Sequence, residues 1–244
     1  MELPTGKISK SKIDPRLLII AGFQKSGKTT ALAELEDNLI IDLEGGTDYL
    51  NAMKVRVNNL QDFVDLVKLL REREVKYRYG TIDTATKMED IAMELAAINY
   101  RKTPMGKRWE GAARDIINLE KGAGYGYLRN AVQDLINWIS PFFSTLILVC
   151  HIKTSSILKD GEDLAMIDVD LTGKIKTMVA SEADAIGIFY RKKNKSILSF
   201  KGDESFMAEA RPDHLRGKDF VIIESDKDNN LTIDWSQIFI QEGV

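Results

Sequence analysis

The sequence predicts an α/β fold: a mostly parallel sheet flanked by helices, with antiparallel hairpins at its C-terminal end. Three observations carry this expectation. First, the apolar runs RLLIIAG (16–22) and NLIIDLEGG (38–46) are separated by one helix length. Strand, helix and strand within about 30 residues form a βαβ unit, whose strands are parallel. Second, YGTID (79–83) and STLILVCH (144–151) are equally apolar, as strands covered on both faces are. Third, AIGIFY and SILSF flank RKKNK, and VIIE and LTIDW flank SDKDNN. Both are hairpin signatures.

Taken in order, residues 1–15 read as a lead-in and 16–244 as one domain, with hairpins at 185–201 and 220–235. A helix starts near Gly27 and runs through TTALAELE. VRV (55–57) reads as an edge strand. Asn59 suits a helix cap, and Phe63, Val67 and Leu70 then recur on one helical face. Residues 85–99 read as helix, and 100–127 as partly loop. Leu128, Val132, Leu135 and Ile139 mark a further apolar helix face, and 152–173 is a polar stretch with little periodicity.

Composition narrows the function. The chain has 244 residues, 44% hydrophobic and 29% charged, as in ordinary globular proteins. A net charge of −3 excludes a global basic field, so any nucleic-acid site has to be a local patch. The single cysteine, Cys150, excludes an internal disulfide and a Cys-rich zinc site; within LILVC it reads as a buried packing thiol. No apolar run reaches the ~20 residues of a membrane span. MELPTGKISKSKIDPR lacks the apolar core of a secretory signal. A cytoplasmic location and no membrane partner are expected.

Residues 22–30, GFQKSGKTT, place Gly22, Gly27, Lys28 and Thr29 in the spacing G-x-x-x-x-G-K-[ST] between a strand and a helix. This is the P-loop, and it assigns ATP and Mg²⁺ as cofactors. Its backbone N–H groups wrap phosphates, the lysine reaches the β/γ oxygens and the Thr29 hydroxyl ligates Mg²⁺. Gly22, Phe23, Gln24, Lys25, Ser26, Gly27, Lys28, Thr29 and Thr30 are the expected nucleotide-binding residues. Lys25 fits two roles, an added charge near the phosphates or a solvated variable position.

Alternation puts Asp42 and Glu44 on one face at the end of the next strand. A carboxylate there, on a strand beside the P-loop, can polarise a water attacking the γ-phosphate; equally, it can cap the turn EGGTD. Asp83 closes an apolar strand in the Walker B manner and is expected to hold Mg²⁺ with Thr29. Thr84 and Thr86 suit helix capping. His151, at the tip of the most apolar strand, suits either a γ-phosphate sensor or a histidine satisfying local backbone; His214 receives no role.

The ordered set SGKTT (26–30), IIDLEGG (40–46), TIDTAT (81–86) and VCHIKT (149–154) resembles the RecA superfamily. It is closer to the small RecA/Rad-type ATPases of bacteriophages, which follow these motifs with a segment like DLTGK (170–174) and a hairpin. The match spans about residues 16–212. Thr84 stands where many other P-loop ATPases carry a catalytic Glu. The resemblance implies a RecA-type P-loop core with Glu44 as general base, Asp83 serving Mg²⁺ and His151 as the switch to a DNA-binding loop. It also implies a homo-oligomeric ring or filament, in which a neighbouring subunit supplies a cation. The candidates are Arg191, Lys192, Lys193, Lys201 and Arg211, with Lys201 and Arg211 best placed.

The resemblance places DNA-binding loops near 100–127 and 152–173. Residues 95–130 hold seven basic residues against three acidic ones, a local charge of +4. Arg101, Lys102, Lys107, Arg108 and Tyr125 are the expected nucleic-acid contacts, with Tyr100, Trp109 and Tyr127 interleaved. Basic groups with aromatics suit single-strand binding; a solvated insertion whose aromatics pack on the core is the other reading. The second stretch offers only Lys153 and Lys159 before a run of acids. The expected function is an ATPase acting on single-stranded DNA in phage recombination or replication, with a single-strand-binding protein among its partners. The alternative is an ATP-gated module that docks on a replication or recombination protein.

Overall fold

Along β1 (Leu17–Gly22) successive side chains enter two separate cores. Ile19 and Ala21 pack on one face of the sheet, and Leu18 and Ile20 on the other. The same alternation holds in β2 (Asn38–Asp42), with Leu39 and Ile41 opposite Ile40. A strand wetted by no face has to be apolar throughout, which explains the unbroken runs. The computed structural model describes residues 3, 5–6, 12–72, 77–159, 162–202 and 208–240, with the side chains of 155–166 outside the description. The expected lead-in lies largely outside these residues.

The P-loop leads into α1 (Lys28–Ala33), which is shorter than the sequence suggests. Asn38 Nδ2 donates to Leu32 O at 2.8 Å, so the chain turns into β2 before TTALAELE completes its helix. The edge strand β3 (Lys54–Arg56) follows. In α2 (Leu60–Glu72), Asn59 Oδ1 accepts from Asp62 N at 2.9 Å, and Phe63, Val67 and Leu70 are buried. β4 (Tyr77–Asp83) leads into α3 (Ala85–Arg101), capped by Thr84. Short 3-10 turns occupy 106–108, 113–118 and 120–122, and α4 (Ala123–Ile139) begins inside the stretch expected to be loop. Leu128, Val132, Leu135 and Ile139 are at most 2% exposed, each contributing about 1.5–3 kcal/mol of burial.

β5 (Phe143–Lys159) does not stop at His151, as the sequence suggests. It pairs with β1 up to Gly22↔His151, then continues from Ile152↔Val169 as an antiparallel hairpin with β6 (Glu162–Val169). The polar stretch 152–173 is therefore largely strand. Its backbone is satisfied by its own return arm, a pairing that needs no apolar periodicity. α5 (Lys174–Glu182) and β7 (Ala185–Lys192) follow, then β8 (Lys195–Ser199), the two-residue β9 (Glu209–Ala210), β10 (Asp219–Ser225) and β11 (Leu231–Ile233).

Among the described residues the sheet order is β11-β10-β8-β7-β1-β5-β4-β2-β3, with β6 on β5 and β9 on β7. From β7 to β3 the pairing is parallel; β8, β10 and β11 extend it antiparallel, as the two hairpin signatures predict. β5 and β4 lie between β1 and β2, so the acid-bearing strand is not beside the P-loop strand. Helices α2 to α5 cover one face; α1 and the segment Trp235–Phe239 cover the other. Trp235 Nε1 donates to Ala31 O at 2.8 Å and ties the C-terminal segment to α1. Cys150 is fully buried, and burial pushes its thiol up to about 12. None of the described helices is long and apolar enough to cross a membrane.

Trp235→Ala is expected to cost about 3–5 kcal/mol, the range for a buried aromatic. Urea unfolding checks this, and the loss should appear in the same transition that reports the parallel core.

Candidate functional site

The loop between β1 and α1 reverses direction through backbone that disfavours side chains. Gly27 has φ +99° at the helix N-terminus, a left-handed value that glycine adopts without a Cβ clash. Lys28 is 5% exposed, and its Nζ donates to Gly22 O and Phe23 O at 2.8 Å each. Burial lowers the Lys28 pKa, with the nearby Asp83 charge opposing. The ammonium thus sits inside the loop's own carbonyls. Lys25, Phe23 and Gln24 are exposed.

Thr29 Oγ1 donates to Asp83 Oδ2 at 2.6 Å. Asp83 is 5% exposed and has no ion-pair partner among the described residues. Burial raises its pKa above the ordinary 3.8; the Thr29 hydrogen bond opposes this, and the charges of Glu44 and Asp42 add to it. A buried carboxylate and a hydroxyl in contact, all-oxygen and short of positive charge, fit a hard divalent cation.

Asp42 and Glu44 separate. β2 ends at Asp42, so strand alternation no longer applies beyond it. Asp42 Oδ1 accepts from Glu44 N at 3.0 Å and Gly45 N at 2.7 Å, and Oδ2 from Thr47 Oγ1 at 2.5 Å; Arg56 NH1 lies 3.3 Å away. Burial would raise the Asp42 pKa, but these hydrogen bonds outweigh it and hold it below the ordinary value. Asp42 is therefore the turn-holder. Gly45 has φ +84°, and a Cβ there would meet the Arg56 guanidinium at 2.5 Å.

Glu44 is released toward the site. Thr84 Oγ1 donates to Glu44 Oε1 at 2.7 Å, and His151 Nε2 lies 3.2 Å from the same oxygen. Thr84 also caps α3, accepting from Lys87 N at 3.4 Å, so one hydroxyl starts the helix and orients the acid. His151 Nδ1 is buried without a hydrogen-bond partner among the described residues. Behind it, Asp170 N donates to His151 O at 2.8 Å, Thr86 Oγ1 donates to Asp170 O at 3.1 Å, and Thr172 N donates to Glu89 Oε2 at 3.0 Å. The DLTGK segment is thus tied to the helix after Asp83. Sequence reasoning missed the links made by Thr84, Thr86 and Glu89, whose only signal was a position just past the Walker B acid.

The cation candidates differ in placement. Lys201 Nζ pairs with Asp219 at 2.6 Å, while Arg211 NH1 pairs with Asp184 at 3.2 Å and its NH2 donates to Ser181 O. Lys192 and Lys193 are exposed on the β7–β8 hairpin. Arg191 lies against the P-loop of its own chain: a Cβ placed on Gly27 would be 3.8 Å from its NH2.

In the basic stretch, Arg101 lies 5.0 Å over the Trp109 ring and donates to Gly111 O at 2.8 Å. Tyr100 packs edge-on against both Trp109 and Tyr127. These three rings pack on the core and are not an open stacking platform. Lys102, Lys107 and Arg108 are exposed, as is Tyr125 on α4. Lys153 is paired with Asp170 at 2.9 Å, and the side chain of Lys159 lies outside the described residues.

A P-loop between β1 and α1, an Asp on β4, and β5 inserted between those two strands define a P-loop NTPase fold. The chain belongs to the AAA domain family, whose model matches residues 14–212. Among solved structures it is similar to a KaiC-like protein from the hyperthermophilic archaeon Pyrococcus horikoshii. Identity is 11%, coverage is 90% of this chain and 89% of that chain, and the TM-score is 0.45. No curated protein sequence matches it.

Because the folded-state pKa of Asp83 is raised, its contribution to stability is fully present below the unfolded pKa and is lost as pH rises through the folded one. Asp83→Asn should therefore raise the melting temperature of the nucleotide-free protein at neutral pH, by about 2–4 °C per kcal/mol relieved. The gain should vanish below about pH 4. Thermal unfolding across pH measures both.

Proposed function

We propose that this chain is a Mg²⁺-dependent ATPase that couples nucleotide turnover to single-stranded DNA. The observation that carries the reading is the convergence of Lys28, Asp83, Glu44 and His151 at one end of β1, β4, β2 and β5. Lys28 and the loop amides bind and orient the phosphates. Thr29 and Asp83 would hold the Mg²⁺, which supplies charge neutralisation at the β- and γ-phosphate oxygens. Glu44, oriented by Thr84, accepts a proton from water as the water oxygen attacks the γ-phosphorus and the bond to the β-γ bridging oxygen breaks, releasing ADP. Positioning and charge stabilisation supply most of the rate.

His151 contacts Glu44 and is bonded through its carbonyl to Asp170, at the base of the β5–β6 hairpin. That supports a switch between the γ-phosphate and a partner held on this side of the sheet. The exposed Lys102, Lys107, Arg108 and Tyr125 support single-stranded DNA as the partner. The resemblance to phage RecA/Rad-type ATPases supports recombination or replication as the setting, in the host cytoplasm. It likewise supports a ring or filament with a cation donated across the interface, from Lys192 or Lys193 in preference to the paired Lys201 and Arg211. One observation favours the second reading, an ATP-gated module docking on a protein such as a single-strand-binding protein: Tyr100, Trp109 and Tyr127 are packed together and withdraw the expected base-stacking surface.

Glu44→Gln should keep ATP binding and lower steady-state turnover by about 10²–10⁴-fold; a wild-type rate would remove Glu44 as the base. Single-stranded DNA should stimulate wild-type hydrolysis, and a rate indifferent to DNA would favour the protein-docking reading. Replacing Lys102, Lys107 and Arg108 with Gln should flatten the salt dependence of DNA binding, by about 0.7 in log–log slope for each phosphate no longer neutralised. Arg101 is left in place because it braces Trp109.

A further inference from the structure

Apart from the P-loop's own Lys28 and Thr29, the polar groups expected around the γ-phosphate come from one side of β1. His151 lies on β5, Asp83 closes β4 and Glu44 follows the end of β2, and all three strands lie on the same side of β1. A triphosphate laid across the tip of β1 with its γ end toward them must direct its nucleoside the other way, toward β7, β8 and β10. A cavity of about 550 Å³ lies there, bounded by Gly27 and Thr30 on one side and by the turns of the two C-terminal hairpins on the other. Its volume falls within the about 300–1,000 Å³ typical of small-molecule sites.

The cavity is preformed. Asn194 Nδ2 donates to Ser225 O at 3.1 Å and Ser225 N to Asn194 O at 2.9 Å, stitching one hairpin turn to the other. Asp226 accepts from Asp228 N and Asn230 N at 2.8 Å each, which fixes the second turn. Ile223 and Leu231 supply apolar wall; Asn194, Asp226 and Asn229 supply hydrogen-bonding groups. Arg191 and Lys193 line the same cavity, and neither has an ion-pair partner among the described residues.

We propose that this cavity holds the base and ribose of the bound nucleoside triphosphate, and that Arg191 contacts the phosphates of the nucleotide on its own chain. The inference rests on the P-loop binding nucleotide and goes beyond it in assigning the C-terminal hairpins to the nucleoside. It also moves Arg191 from a contact with a neighbour's nucleotide to a contact with its own.

Titration calorimetry with Mg²⁺ and either ATP or inorganic tripolyphosphate separates the two halves of the ligand. Wild type should bind ATP more tightly than tripolyphosphate. Leu231→Trp, a filling change on a half-exposed edge strand, should reduce that preference by about tenfold or more while leaving tripolyphosphate affinity unchanged. Arg191→Ala should weaken both ligands by about tenfold. Mixing Arg191→Ala with Lys28→Ala chains should not restore tight ATP binding, because neither chain then has both groups. Restored binding would place Arg191 on a neighbour's nucleotide and overturn its assignment. A Leu231→Trp protein with wild-type ATP preference, or a wild type with none, would overturn the cavity assignment and leave the P-loop reading standing. A wild type that binds neither ligand would overturn both.

Discussion

Parallel register across β2, β4, β5 and β1 is the constraint on which the site depends. The register pairs Asp42 with Asp83, Asp83 with Val149, and Gly22 with His151. Each strand therefore runs out of apolar residues at nearly the same level, and its first polar side chains emerge on one edge. Nothing local to any single strand requires this. It follows from two cores that have to be filled on opposite faces at once: a slip of one residue in a strand would exchange its inward sets between the two cores.

The same register brings carboxylates together at a cost, and the two that face each other across β2 and β4 meet it differently. Asp42 collects backbone and side-chain donors from the turn it precedes, with Arg56 beside it, and its charge is favoured. Asp83 has one hydroxyl and a buried setting, and its charge is disfavoured. Paired polar groups stabilise a fold, whereas a buried carboxylate left short of partners is a site waiting for one. The contrast separates the two acids more clearly than their shared level in the sheet.

Beyond the sheet edge, short hydrogen-bonded links join neighbouring elements. Thr84 joins the start of α3 to Glu44, and Thr86 and Glu89 join the same helix to the segment 170–172. His151 sits where β5 leaves the parallel sheet for its hairpin with β6. Glu44 is therefore linked by contacts already formed to the start of α3 and to His151 on β5. On the far side of β1, the stitched hairpin turns give the P-loop a second wall that belongs to the antiparallel part of the fold.

The sequence by itself determined the α/β class, the order of most elements, the P-loop between strand and helix, the apolar strand that closes in Asp83 and both C-terminal hairpins. Each of these is written in local chemistry: an apolar run, a glycine spacing, a polar turn between β-rich segments. It put Asp42 and Glu44 on one face, and the structure separates them, because alternation holds only while the strand continues, and β2 ends at Asp42. It placed β2 beside β1, because sequence neighbours need not be sheet neighbours when later strands insert between them. It could not show that Tyr100, Trp109 and Tyr127 pack on one another, or that 152–169 folds back as a hairpin. Those outcomes are decided by long-range packing, where a side chain's partners are fixed by the whole core and not by the residues on either side of it.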